Sequence, residues 1–135
     1  MHDNLDLKKE ISFESFQKQI LEDYKTIVLS REASLLGRRE VLSGKAKFGI
    51  FGDGKELPQI AMAKVFQNGD FRSGYYRDQT FMMSINELTP KQLFAGLYAN
   101  TDINEEPMSG GRQMGAHFNT VSLNEDGTWK DLVNQ

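Results

Sequence analysis

The chain has 135 residues, of which 39% are apolar and 26% charged, and its formal net charge is −3. That size and balance fit one globular domain and argue against disorder over the whole length. Charges of both signs give no global field for nucleic acid. The absence of cysteine excludes disulfides, thiolate zinc sites and thiol nucleophiles.

Only two histidines are present, His2 and His117, which argues against a multi-histidine metal site. No apolar run approaches the ~20 residues of a membrane span. The opening MHDNLDLKKE has no apolar stretch of the signal-peptide kind. The expected setting is the cytoplasm, with no nucleic-acid or membrane partner.

In chain order, residues 1–11 are polar and read as a flexible N-terminus. From residue 12 to 43 a long helix is expected. Phe13, Phe16, Ile20, Tyr24, Ile27, Leu35 and Leu42 recur at helical spacing and form its predicted core stripe. Ser12 suits the N-cap, Glu14 the first turn and Gly44 the stop. Such a rod would be ~46 Å long at 1.5 Å per residue, so a kink near Gly37 is expected. Arg31, Arg38, Arg39 and Lys45 crowd its last turns, as ion-pair partners or as an anion or partner site.

Residues 44–57 read as a glycine-rich loop. Pro58 opens a helix over 58–68. Residues 71–78, FRSGYYRD, read as strand-like, because aromatics favour extended backbone. The TFMMSI stretch is apolar and expected to be buried, Met82 and Met83 included. Thr89 and Pro90 start a helix over 89–100. A long loop over 101–135 follows, and loops of that length are usually functional.

Three motifs carry candidate chemistry. Gly52-Asp53-Gly54 lacks the Gly-Lys-Ser/Thr of a phosphate loop, since Glu56 follows Lys55. It also lacks the downstream Asn-Asn pair of a thiamin diphosphate metal signature, so it reads as a turn. Tyr75-Tyr76-Arg77-Asp78 has two readings. The arginine fork and a tyrosine hydroxyl can bind an oxyanion. Equally, a core tyrosine can lie beside an arginine paired with Asp78 or Asp70. Ser109–Phe118, SGGRQMGAHF, can offer backbone N–H groups to an anion, with His117 as a donor, general acid or structural side chain. The acidic turns NEE and NED read as solvated loop, and no Ser-His-Asp triad is visible.

These stretches, taken in order from about residue 24 to 118, resemble the N-terminal part of the alpha subunit of thiamin diphosphate-dependent 2-oxoacid dehydrogenases. The likeness is to the branched-chain type, including fused alpha-beta forms. It rests on Tyr76-Arg77, on QLFAGLYAN, and on GGRQMGAHF, which is similar to the branched-chain GRQMPVHY pattern.

The resemblance implies an α/β, three-layer fold, of which 12–135 is an incomplete cofactor domain, mainly helical with short extended segments. It implies that Tyr76 and Arg77 bind the cofactor diphosphate, and that Arg112, Gln113 and His117 lie at a substrate or entrance loop, His117 with a possible catalytic role. Magnesium ligands are expected outside this chain. A beta subunit or fused beta half and a lipoyl-bearing acyltransferase are the implied partners, in an oligomer. The piece alone is expected to be inactive. The alternative is a non-enzymatic helical interaction module, docking through the long helix and its basic turns.

Overall fold

In the computed structural model, residues 11–67, 69–113, 117–118 and 124–128 are described. Four helices follow in order: α1 (Phe13–Leu42), α2 (Glu56–Val65), α3 (Gln79–Ser84) and α4 (Pro90–Leu97). The short α3 packs on both α1 and α2, while α2 and α4 each also pack on α1. The described residues contain no strand. Within them, the α/β expectation has nothing to represent it. The segment read as strand-like, 71–78, is irregular and ends in a turn, with Asp78 N–H donating to the Tyr75 carbonyl at 3.1 Å.

The long helix starts as its sequence dictates. Ser12 is extended at the N-cap, and its Oγ accepts from Ser15 N–H at 3.2 Å. Past the other end, Gly44 takes φ +77°, a conformation that costs a glycine little. The face that packs is not the expected one. Phe13, Phe16, Ile20, Tyr24, Leu35 and Leu42 are exposed and Ile27 is half-buried. Buried instead are Ser30, Ala33, Ser34, Gly37 and Glu40, whose spacing of three and four makes a smooth stripe.

Small side chains bring α3 and the 44–57 loop close. Gly37 shows this most plainly, because a Cβ there would sit 2.3 Å from the Phe51 ring. The helix runs unbroken through Gly37, and the glycine serves close packing. Gly37→Ala should therefore destabilise the chain by about 1 kcal/mol, since overpacking outweighs the gain in helix propensity. A thermal melt lowered by several degrees is expected, and an unchanged or raised melt contradicts this packing.

A polar network fastens α3 to α1. Gln79 Nε2 donates to Ser30 O at 2.9 Å, Ser30 Oγ at 3.0 Å and Ser34 Oγ at 2.8 Å. Ser30 and Thr80 share a 2.6 Å hydroxyl contact. All four side chains are essentially inaccessible. Buried donors that find several acceptors hold one geometry firmly. Next to this network lies the apolar core, with Ala33, Ala63, Phe81, Met82, Met83, Ile85, Leu88, Leu93 and Phe118 in one cluster. The TFMMSI stretch, 80–85, thus packs inside as expected, all but half-buried Ser84, and most of it forms α3.

The second and fourth helices are tied to the first by charge. Glu56, at the start of α2, is 4% exposed and receives Arg31 through two bonds, Nε at 2.6 Å and Nη2 at 2.8 Å. Gly54 N–H also donates to it, at 3.0 Å to one oxygen. Arg38 pairs with Asp53 and Lys45 with Glu40, so three of the four basic side chains flagged in the late turns sit in ion pairs. Tyr98 O–H donates to Glu40 at 2.7 Å and clips the end of α4 to α1. Thr89 and Gln92 form a reciprocal capping box at the start of α4.

Candidate functional site

The Tyr75–Asp78 turn is built from three sides. Asp78 faces back into it and accepts from Tyr75 N–H at 2.7 Å and from Arg72 Nη1 at 2.9 Å. Arg72 also donates to the Phe118 carbonyl at 2.9 Å and lies over the Phe81 ring. Gly74 makes room for this arginine, because a Cβ there would collide with its guanidinium. Behind the turn, Gln59 Nε2 donates to the Arg77 carbonyl at 2.9 Å. Gly52 presses on the same carbonyl, where a Cβ would come within 2.5 Å of the oxygen.

The two readings of Arg77 separate here. The acid that could have neutralised it, Asp78, is taken by Arg72. The other, Asp70, accepts from Gln67 N–H. Among the described residues, Arg77 has no carboxylate partner. Its side chain is exposed, and its guanidinium carbon lies 4.8 Å from the centre of the Tyr76 ring. Stacking on an aromatic face holds an arginine without using its hydrogen-bond donors. The fork is therefore held, charged and open to an incoming acceptor.

His117 completes an aromatic corner. Its ring centre is 6.2 Å from Tyr76 and 5.9 Å from Tyr75, edge-on to both, and the two tyrosine rings are 3.9 Å apart. The neighbours Tyr76 and Arg77 and the sequence-distant His117 thus meet around the Tyr76 ring. Arg112 and Gln113 do not join them through any described contact. Both turn back on Ser109, whose Oγ accepts from Arg112 N–H at 3.1 Å and from Gln113 N–H at 3.0 Å. Residues 114–116, in the middle of the SGGRQMGAHF motif, lie outside the described residues, as do residues 1–10 and His2.

One residue that organises the loop beside the site was missed by sequence reasoning. Glu106 belongs to the NEE turn, expected to be solvated, yet it is 2% exposed. Its carboxylate gathers Met108 N–H at 3.1 Å, Ser109 N–H at 2.9 Å, Ser109 O–H at 2.7 Å and Gly111 N–H at 2.9 Å. Burial pushes the group up, but the donors from Gly111, Ser109 and Met108 outweigh burial and hold it below the usual carboxylate range. The signal that could have found it is the glycine pair four and five residues downstream. Gly110 and Gly111 have positive φ, and Gly111 bends the chain so that its N–H meets Glu106.

Beside this loop is a cavity of about 40 Å³ between α4, the 48–51 segment and the 106–113 loop. Gln113, Glu106 and Phe118 are part of its wall, whereas Arg112 and His117 are not. Phe118 also accepts from Arg72, which connects this wall to the Tyr75–Asp78 turn. Among the described residues, no group of three or more histidines and carboxylates could hold a metal, and no helix is long and apolar enough to cross a membrane.

The chain is 32% identical over 106 residues to the 2-oxoisovalerate dehydrogenase subunit alpha of Bacillus subtilis (strain 168). The two chains are distant relatives. The match takes in 75% of this chain and 30% of the relative, so this chain spans less than a third of the subunit's length. No family model matches, and no solved structure does. The Bacillus subtilis relative is, by name, the alpha subunit of an enzyme acting on a branched 2-oxoacid.

Proposed function

We propose that this chain is part of the decarboxylating dehydrogenase component of a 2-oxoacid dehydrogenase complex, and that it contributes one side of the thiamin diphosphate site. The observation that carries this reading is the open guanidinium of Arg77, stacked on Tyr76 while Arg72 occupies the nearest acid. That donor set fits a diphosphate. Arg77 would fork onto its oxygens and Tyr76 would donate its hydroxyl, while Arg72 engages the neighbouring Asp78 carboxylate.

The bound cofactor would supply an electron sink for loss of CO₂ from a 2-oxoacid. The chain's own part is to bind and orient. Tyr76 and Arg77 hold the anionic tail from a turn whose backbone is fixed, and His117 closes the aromatic corner beside them. Arg112, Gln113 and His117 shape the entrance for substrate. Magnesium ligands and the activating carboxylate come from outside this chain. The remaining layers of an α/β fold, a beta subunit or fused beta half, and a lipoyl-bearing acyltransferase complete the assembly in the cytoplasm. The exposed stripe Phe13, Phe16, Ile20 and Tyr24 gives such an assembly apolar surface to cover.

In the complete enzyme, Arg77→Ala should weaken thiamin diphosphate affinity by ~1.5–3 kcal/mol, the scale of hydrogen bonds to a charged group. Titration calorimetry reads this directly as a loss of about 10- to 150-fold. Unchanged affinity removes Arg77 from the site.

A further inference from the structure

We propose that Gln59, on α2, is the positioning residue that sets where Arg77 points. The inference rests on the reading of Tyr76 and Arg77 as a diphosphate grip and adds to it the residue that makes the grip rigid. Gln59 is 8% exposed and uses both ends of its amide. Its Nε2 donates to the Arg77 carbonyl at 2.9 Å, and its Oε1 accepts from Phe81 N–H at 2.9 Å. The residues it clamps are the third of the Tyr75–Asp78 turn and the third of α3.

Both partners need it. Phe81 N–H lies in the first turn of a helix and has no intrahelical acceptor. Asp78, the residue before α3, makes no side-chain cap to that helix. The Arg77 carbonyl is confined on its other side by Gly52. One amide thus spans Asp78, Gln79 and Thr80 and fixes the backbone on both sides of them. Gln79 and Thr80 are themselves anchored in α1. The turn cannot swing about α3 while Gln59 holds, so the guanidinium starts from one place.

Gln59 is fixed in its turn. Glu56, one helical turn earlier on α2, is gripped by Arg31 and by Gly54 N–H, and Ile60 beside it is buried. A rigid supporting residue raises affinity by lowering the ordering cost at binding rather than by touching the ligand.

The test uses inorganic pyrophosphate as probe. The 135-residue chain is titrated by NMR, following the Arg77 side-chain N–H and the amides of Tyr76 to Phe81. Gln59→Met keeps the volume but loses donor and acceptor. About tenfold weaker pyrophosphate binding is expected, together with faster motion of the 75–78 backbone. A residue that merely fills space would leave both unchanged, and that result overturns the proposal. Should Gln59→Met not fold, Gln59→Glu keeps the acceptor for Phe81 N–H and loses the donor to Arg77. It should retain Phe81 amide protection yet bind pyrophosphate more weakly, and unweakened binding again overturns the proposal. The two levels separate cleanly. If Arg77→Ala binds pyrophosphate as the unsubstituted chain does, or if neither binds it, the diphosphate grip itself fails. If only Arg77→Ala loses binding, the grip stands and Gln59 does not position it.

Discussion

Glu106→Ala is expected to cost about 3 kcal/mol of folding stability, more than any other single truncation of a loop side chain here. Four donors converge on that carboxylate, three from the backbone and one from Ser109. Alanine leaves them facing a buried void, and each unsatisfied buried donor costs of order 1–3 kcal/mol unless water enters. Removal of the buried charge recovers part of that, which is why the sum is not fourfold. Ser109 Oγ, released from Glu106, also loses its hold on Arg112 and Gln113. Urea unfolding gives the magnitude, and amide exchange at Met108, Ser109 and Gly111 gives the place. Glu106→Gln should lie between, since it retains one acceptor but turns an NH₂ group toward donors. Wild-type exchange at Gly111 in the alanine variant contradicts the role assigned to Glu106.

Acid should destabilise the chain below about pH 4.5, because Glu56 carries its charge on a buried site. The side-chain bonds from Arg31 outweigh burial and, with Gly54 N–H, lower its pKa to about 2. In the unfolded chain the group returns to about 4.5. Between those values the unfolded chain binds more protons, so stability rises with pH across the window. The contribution is fully present above pH 4.5 and is lost as pH falls toward 2. The full difference would be worth about 3 kcal/mol, and water reaching the half-exposed Arg31 reduces it to about 2 kcal/mol. Glu106, also held low, acts in the same direction. Glu56→Gln should flatten the stability profile between pH 2 and 5, and an unflattened profile removes Glu56 from the account.

Local signals were legible in the sequence where they rest on one turn of chain. Ser12 and Thr89 cap as their chemistry requires, and Gly44 takes the positive φ that ends α1. The GDG triplet forms a turn, with Lys55 N–H donating to the Gly52 carbonyl. Harder to read was which face packs. The large apolar residues of α1 gave the stronger periodicity, but close approach of α3 needs Ser30, Ala33, Ser34 and Gly37. Hydrophobic size and buried position part company when a neighbour is bonded through hydroxyls and an amide.

The α3 helix was missed for a related reason. Six residues with a threonine and a phenylalanine carry strand propensity, and tertiary bonds from Gln59 and Ser30 decide their conformation. At the site, composition alone left Arg77 between an acid and an anion. Only the fold shows Arg72, five residues upstream, reaching over Gly74 to take Asp78. Glu106 was hidden because an acidic turn on paper gives no sign of its burial.

The central claim is that Arg77 holds a diphosphate and not some other part of the cofactor. Calorimetry on the enzyme completed with its beta half, comparing thiamin diphosphate with thiamin, tests that most directly. The account predicts that Arg77→Ala weakens thiamin diphosphate binding at least tenfold while leaving thiamin affinity unchanged. Equal losses for both ligands, or none for either, contradict it.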